Sequence, residues 1–213
     1  MPIRAKLQQF WLDRRATALM ETAFLLPTLL VVGLGGMELT NLAVANMRVG
    51  QLAASLADNA SRVSAESTLP LPVIREVDVN ELLAVTLANG SGLDLENRGR
   101  VILTSLEVDP DTGDQWIRWQ RCAGQKMFGS SYGAEGTTGG SFTGMGEAGE
   151  EAVALPGMAI MFVEIAYDYQ PLVGEQWIGA RTLRYTASFM VRDDRESGIK
   201  NPEPNSLVSR CVV

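Results

Sequence analysis

The stretch "RRATALMETAFLLPTLLVVGLGG", Arg14 to Gly36, opens on two arginines and becomes lipid-soluble, yet it carries a carboxylate at Glu21 and a proline at Pro27. No residue from Ala23 to Met37 is charged, and Glu21 and Glu38 bracket 16 residues. As a helix those residues rise about 24 Å at ~1.5 Å each. That is slightly short of a ~30 Å hydrocarbon core, so the two glutamates fall at its borders, where they reach water or headgroups. The pattern predicts a basic leader over 1–16 and a transmembrane helix over 17–38. Pro27 removes one helical hydrogen bond and is expected to kink or loosen the span.

Charge gives the orientation. Residues 1–15 hold Arg4, Lys6, Arg14 and Arg15 against Asp13, a net +3, whereas the whole chain carries −7, which leaves −10 on the remainder. Basic residues before a span and a long acidic body after it place the N-terminus in the cytoplasm and the body outside. The expectation is a single pass through the inner membrane, in contact with membrane lipid, with a periplasmic C-terminal domain. An acidic body without a basic face is no partner for nucleic acid. The chain has no histidine and only two cysteines. It therefore offers no zinc site and no Ser-His-Asp or Cys-His arrangement, and no catalytic residue, cofactor site or metal ligand set is legible.

Three fates of the N-terminus are open. A cleavable secretory signal would use Ala43-Val44-Ala45, but that site lies beyond Glu38, Thr40 and Asn41, far from the end of the apolar run. An uncleaved anchor accounts for length and orientation and gives Glu21 no role. A third fate gives it one. Arg14-Arg15-Ala16 is followed by four residues and then Glu21, the register of the class III signals of type IV pilins, so that a cut between Ala16 and Thr17 makes Glu21 the fifth residue of the mature chain.

The opening through "GGMEL" resembles the start of TadE-like proteins, minor pseudopilin-like components of tight-adherence (Flp) pilus systems. Ala16 stands where that family usually has Gly, and Thr22 where it often has Phe. "QWIRWQRCAG" (115–124) and "VEIAYDYQPLV" (163–173) are similar to two ectodomain segments of the same family, in the same order. The resemblance implies a pilin-like protein that associates through its N-terminal helix with other pilus or pseudopilin subunits and inner-membrane assembly proteins, after processing by a prepilin peptidase. It also implies that Glu21 meets the free amine of a neighbouring subunit inside the apolar bundle.

Beyond the span, residues 39–66 keep a helical period. Leu42, Val49, Leu52, Ala53, Leu56, Ala60 and Val63 fall on one side, and Asn41, Arg48, Gln51, Ser55, Asp58 and Arg62 on the other, so an amphipathic helix continues the span. Pro70 and Pro72 mark the boundary of an α+β domain over 67–213. "VNELLAVTLAN" (79–89) reads as a short helix closed at Gly90. "RVILTSLEV" (100–108) and "QWIRWQR" (115–121) read as a hairpin around "DPDTGD", a solvated turn rather than a calcium loop. Residues 158–169 and 181–191 alternate, with Glu164 and Asp168 opposite an apolar row, which predicts an antiparallel sheet with one wet face and one face against helix.

The stretch 129–151 has eight glycines and reads as a mobile loop, open to contact with another subunit. Its Gly144-x-Gly146-x-x-Gly149 has no strand leading into it and no suitable helix after it, so it is not read as a nucleotide site. Two cysteines in an exported domain predict one disulfide, Cys122–Cys211, worth about 4–5 kcal/mol in the chain-entropy model. The fold class expected is α+β, a long N-terminal membrane-anchored helix followed by an antiparallel-sheet ectodomain. The function expected is non-enzymatic subunit association in a pilus or secretion machine. A stand-alone membrane-anchored envelope adhesin is the alternative, and an exported enzyme is disfavoured because no carboxylate pair stands apart from the solvated acids.

Overall fold

Arg15–Arg62 form one α-helix, α1, with Pro27 inside it. The computed structural model describes residues 15–63, 73–175, 179–191, 198–202 and 204–211. The leader before Arg15, the Pro70/Pro72 break and the last residues of the expected amphipathic helix, 64–66, thus lie outside the described residues. Two compact units are present: Met1–Ala43 with Pro171–Gly179, and Val44–Gln170 with Ala180–Val213.

In the first unit every α1 side chain from Thr17 to Met37 is exposed. The helix includes a stretch long and apolar enough to be a candidate membrane span. Three of its hydroxyls are satisfied within the helix: Thr22 Oγ1 donates to the Ala18 carbonyl at 2.8 Å, Thr28 Oγ1 to Phe24 at 3.1 Å and Thr40 Oγ1 to Gly36 at 2.8 Å. Such i−4 bonds let a threonine sit on an apolar helix without an unmet donor. The Thr28 bond also lies beside Pro27, whose ring nitrogen cannot donate to the preceding turn.

In the second unit α1 turns amphipathic, as its period predicts. Ala45, Val49, Ala53, Leu56, Ala57 and Ala60 are buried, while Arg48, Gln51, Ser55 and Arg62 are exposed. The small residues permit close packing. A Cβ on Gly50 would fall 2.7 Å from the ring of Tyr185, so the helix backbone rests directly on that aromatic side chain.

The main sheet has strands β2 (Gly99–Val108), β3 (Gln115–Ala123), β4 (Ile160–Asp168) and β5 (Thr182–Met190). They lie in the order β3-β2-β4-β5, and all three pairings are antiparallel. A register shift between Ser105 and Leu106 bends the β2–β3 hairpin. Its turn is closed by the Asp109 N–H donating to the Asp114 carbonyl at 2.8 Å and by Asp109 Oδ1 accepting from the Asp111 N–H at 2.9 Å. The fold is therefore α+β, a long N-terminal apolar helix followed by an antiparallel sheet.

One sheet expectation fails. β4 is buried on both faces, and Glu164, assigned to a wet face, is only 3% exposed. Alternation and register put Val101, Leu103, Met161, Val163, Ile165 and Tyr185 on the helix side. The opposite face is covered by the glycine-rich segment, expected to be a mobile loop. Met145 (0% exposed) and Ala154 join Leu106, Ile117, Ile160 and Phe162 in a second core, flanked by Tyr132 and Phe142. The Tyr132 and Phe162 rings meet edge to face at 5.3 Å. The glycines make the tight path possible: Gly146 has φ 140°, and a Cβ there would come 2.9 Å from the Glu150 carbonyl oxygen. The Gly144-x-Gly146-x-x-Gly149 run belongs to a turn in which Met145 and Ala152 pair, not to a strand–helix junction.

Smaller elements complete the unit. Helix α2 (Glu76–Asn89) starts before the expected Val79. Its first turn carries Glu76 and Asp78, which favour a helix N-terminus, and Asp78 Oδ2 accepts the Arg75 N–H at 3.1 Å. A 3-10 turn (Ser91–Leu93) and helix α3 (Leu95–Arg98) lead into β2. β1 (Ile74–Arg75) pairs in parallel with β6 (Ile199–Lys200), a pairing that two-residue strands do not announce. Cys122 and Cys211 form the expected disulfide, with Cα atoms 5.0 Å apart. The Cys122 N–H donates to the Ser209 carbonyl at 2.8 Å, so the C-terminal segment lies along the outer edge of β3.

Candidate functional site

Apart from the disulfide cysteines Cys122 and Cys211, the residues to which the sequence assigns a role lie on α1. Ala16 and Thr17 are in its first turns. Thr17 and Glu21 are four residues apart and share a face. Glu21 is exposed and has no salt-bridge partner among the described residues. It is the only charged side chain from Ala16 to Met37. Pro27 follows it by six positions, and the Gly33, Gly35 and Gly36 backbone is open, with nothing within 4 Å of a Cβ built there.

Glu38 behaves differently from its bracketing partner. Expected to reach water or headgroups, it is instead 4% exposed. Its Oε2 accepts the backbone N–H groups of Leu172 at 2.7 Å and Val173 at 3.1 Å. Pro171 carries no N–H, so the next two amides are the first the turn can offer, and adjacent N–H groups that converge make an anion receptor. Spacing could not have paired Glu38 with residues so far along the chain. The available signals were a lone acid at the end of an apolar run and a Pro followed by two apolar residues.

Two further polar clusters are internal to the sheet unit. Arg121 reaches Glu76 through Nε at 2.9 Å and Glu135 through Nη1 at 2.8 Å, and its side chain and that of Glu76 are both buried. The pair fastens α2 to β3, and Glu135 fastens the glycine-rich segment beside it. Glu164 accepts from Ser130 Oγ and, at 3.0 Å, from the Ser131 N–H. Burial pushes its pKa up, against the hydrogen bonds from Ser130 and Ser131, which pull it down. Both clusters anchor loops or helices to the sheet.

None of these acids lines the open groove formed by Arg48, Gln51, Leu52, Ser55, Asn89, Gly92 and Leu93. Among the described residues no group of three Asp, Glu, Cys or His side chains is placed to hold a metal. The chemistry these features support is association and anchoring: an exposed apolar helix with a single charge, and a carboxylate that grips a loop. No family model, curated protein or solved structure matches the chain.

Proposed function

We propose that this chain is a non-enzymatic, pseudopilin-like component of a tight-adherence pilus or a related secretion machine, anchored in the inner membrane with its α+β domain in the periplasm. The observation that carries the reading is Glu21, one charge at the head of a fully exposed apolar helix, in the register of a prepilin cleavage site after Ala16. A carboxylate in hydrocarbon is costly until paired. Cleavage would create an amine at Thr17, and pairing of that amine with Glu21 of a neighbouring subunit would select one helix register among many that apolar packing alone leaves equivalent.

N-terminal sequencing of the protein from envelopes containing a prepilin peptidase tests this. The expected first residue is Thr17. A start at Asn46 would make the protein a secreted domain, and a start at Met1 or Pro2 would favour the stand-alone anchored adhesin. Glu21→Ala is expected to leave the chain inserted while reducing co-purification of partner subunits. Unchanged co-purification removes Glu21 from the mechanism.

A further inference from the structure

We propose that the turn Pro171–Glu175 is a membrane-surface contact, held at the end of the span by Glu38, with Leu172 entering the headgroup–acyl boundary of the bilayer. The inference rests on the reading of α1 as a membrane span. Glu38 follows Met37, the last residue of the uninterrupted exposed apolar run, so whatever Glu38 grips lies where hydrocarbon gives way to headgroups. It holds the turn by its backbone, through the Leu172 and Val173 N–H groups, and these contacts use none of the turn's side chains. Leu172 is 60% exposed, and Leu39, the next helix residue, is 69% exposed, so the apolar surface of the helix continues on both sides of the clamp.

The hydrogen bonding suits that location. At a low-dielectric boundary an unpaired carboxylate and two unpaired amides are each expensive, and here they satisfy one another. In water neither would need the other. The turn reads Pro-Leu-Val-Gly-Glu and carries no basic side chain, so its attraction to the bilayer is apolar and independent of anionic lipid.

The test uses the full chain in phosphatidylcholine vesicles, with a nitroxide on a single introduced cysteine, the native pair being disulfide-bonded. Accessibility to oxygen and to a neutral nickel chelate reports depth. Leu172→Cys is expected to be oxygen-rich and nickel-poor, approaching a mid-span Leu25→Cys label. Asp111→Cys in the β2–β3 turn is expected to show the reverse. Adding Glu38→Ala should move the Leu172 label to the water pattern, with several-fold higher nickel accessibility, while Leu25 stays lipid-like and mass mapping still finds the Cys122–Cys211 link. A water-exposed Leu172 beside a lipid-buried Leu25 overturns the proposal and leaves the anchor standing. A water-exposed Leu25 overturns both. A Leu172 label that stays buried after Glu38→Ala removes Glu38 as the clamp and overturns the proposal as stated.

Discussion

Arg121 and Glu164 show how differently two buried charges weigh on this protein. Removing Arg121 leaves Glu76, 3% exposed, as a buried carboxylate without its guanidinium. Breaking such a pair from one side typically costs about 3–5 kcal/mol. We expect Arg121→Ala to lower the denaturation midpoint of the detergent-solubilised chain accordingly, and a loss below ~1 kcal/mol would mean that the pair is solvated. Glu164 has the opposite sign. Its folded-state pKa is raised by burial, so its contribution is fully present below the ordinary glutamate range and is lost as pH rises through the raised value. Glu164→Gln keeps an acceptor for the Ser131 N–H and removes the titration. Its stability relative to wild type should improve with rising pH across that window, as read from paired denaturation curves. A difference independent of pH would contradict this assignment. Such roles were only partly legible in sequence. Cys122 and Cys211 had one possible intramolecular pairing, whereas the polar members of an alternating strand, Glu164 among them, read as facing water because nothing local marks what covers them. Glu38 was located correctly at the end of the apolar run and given the wrong surroundings, since its partners are backbone amides of a distant turn.

Among the elements, the glycine-rich segment departs furthest from its sequence reading. Tyr132, Phe142 and Met145 are scattered among glycines with neither helical nor strand period, so no pattern announces that they form one side of a core. What makes them a layer is β4, whose run of apolar residues needs cover on both faces once β2 and β5 flank it. Met145→Ala removes a fully buried side chain from that layer and is expected to cost about 2–5 kcal/mol. Limited proteolysis of the variant should then cut within 129–151 well before the wild-type chain is cut there. Equal cleavage rates would show that the segment is not packed. The four strands of the main sheet were legible, β4 and β5 from their alternation and β2 and β3 from the turn residues between them, whereas the two-residue β1 and β6 were not. The helix expected from Val79 begins three residues earlier, because Glu76 and Asp78 suit a helix N-terminus and Asp78 holds Arg75.

At the scale of the whole molecule, the long apolar helix and the antiparallel sheet were legible from composition and periodicity alone. The helix leaves twelve large apolar side chains exposed between Leu19 and Leu39. At roughly 1.5–3 kcal/mol for each side chain buried, transfer to an apolar medium is favourable on the order of 20 kcal/mol, far more than a folded domain's net stability. The layering of the sheet was not legible, because strand order depends on long-range pairing rather than on local pattern. That order has a further consequence, in time rather than in space. β2 and β3 are joined by a short turn and can zip early, but β2 must wait for β4, whose Ile160 pairs with Leu106 across the whole glycine-rich segment. Such non-local pairing is slow, typically milliseconds to seconds. During synthesis the β2–β3 hairpin therefore emerges well ahead of β4 and of the C-terminal segment along β3, with both strand edges unpaired, and the interval before β4 arrives is when this chain is most open to mispairing.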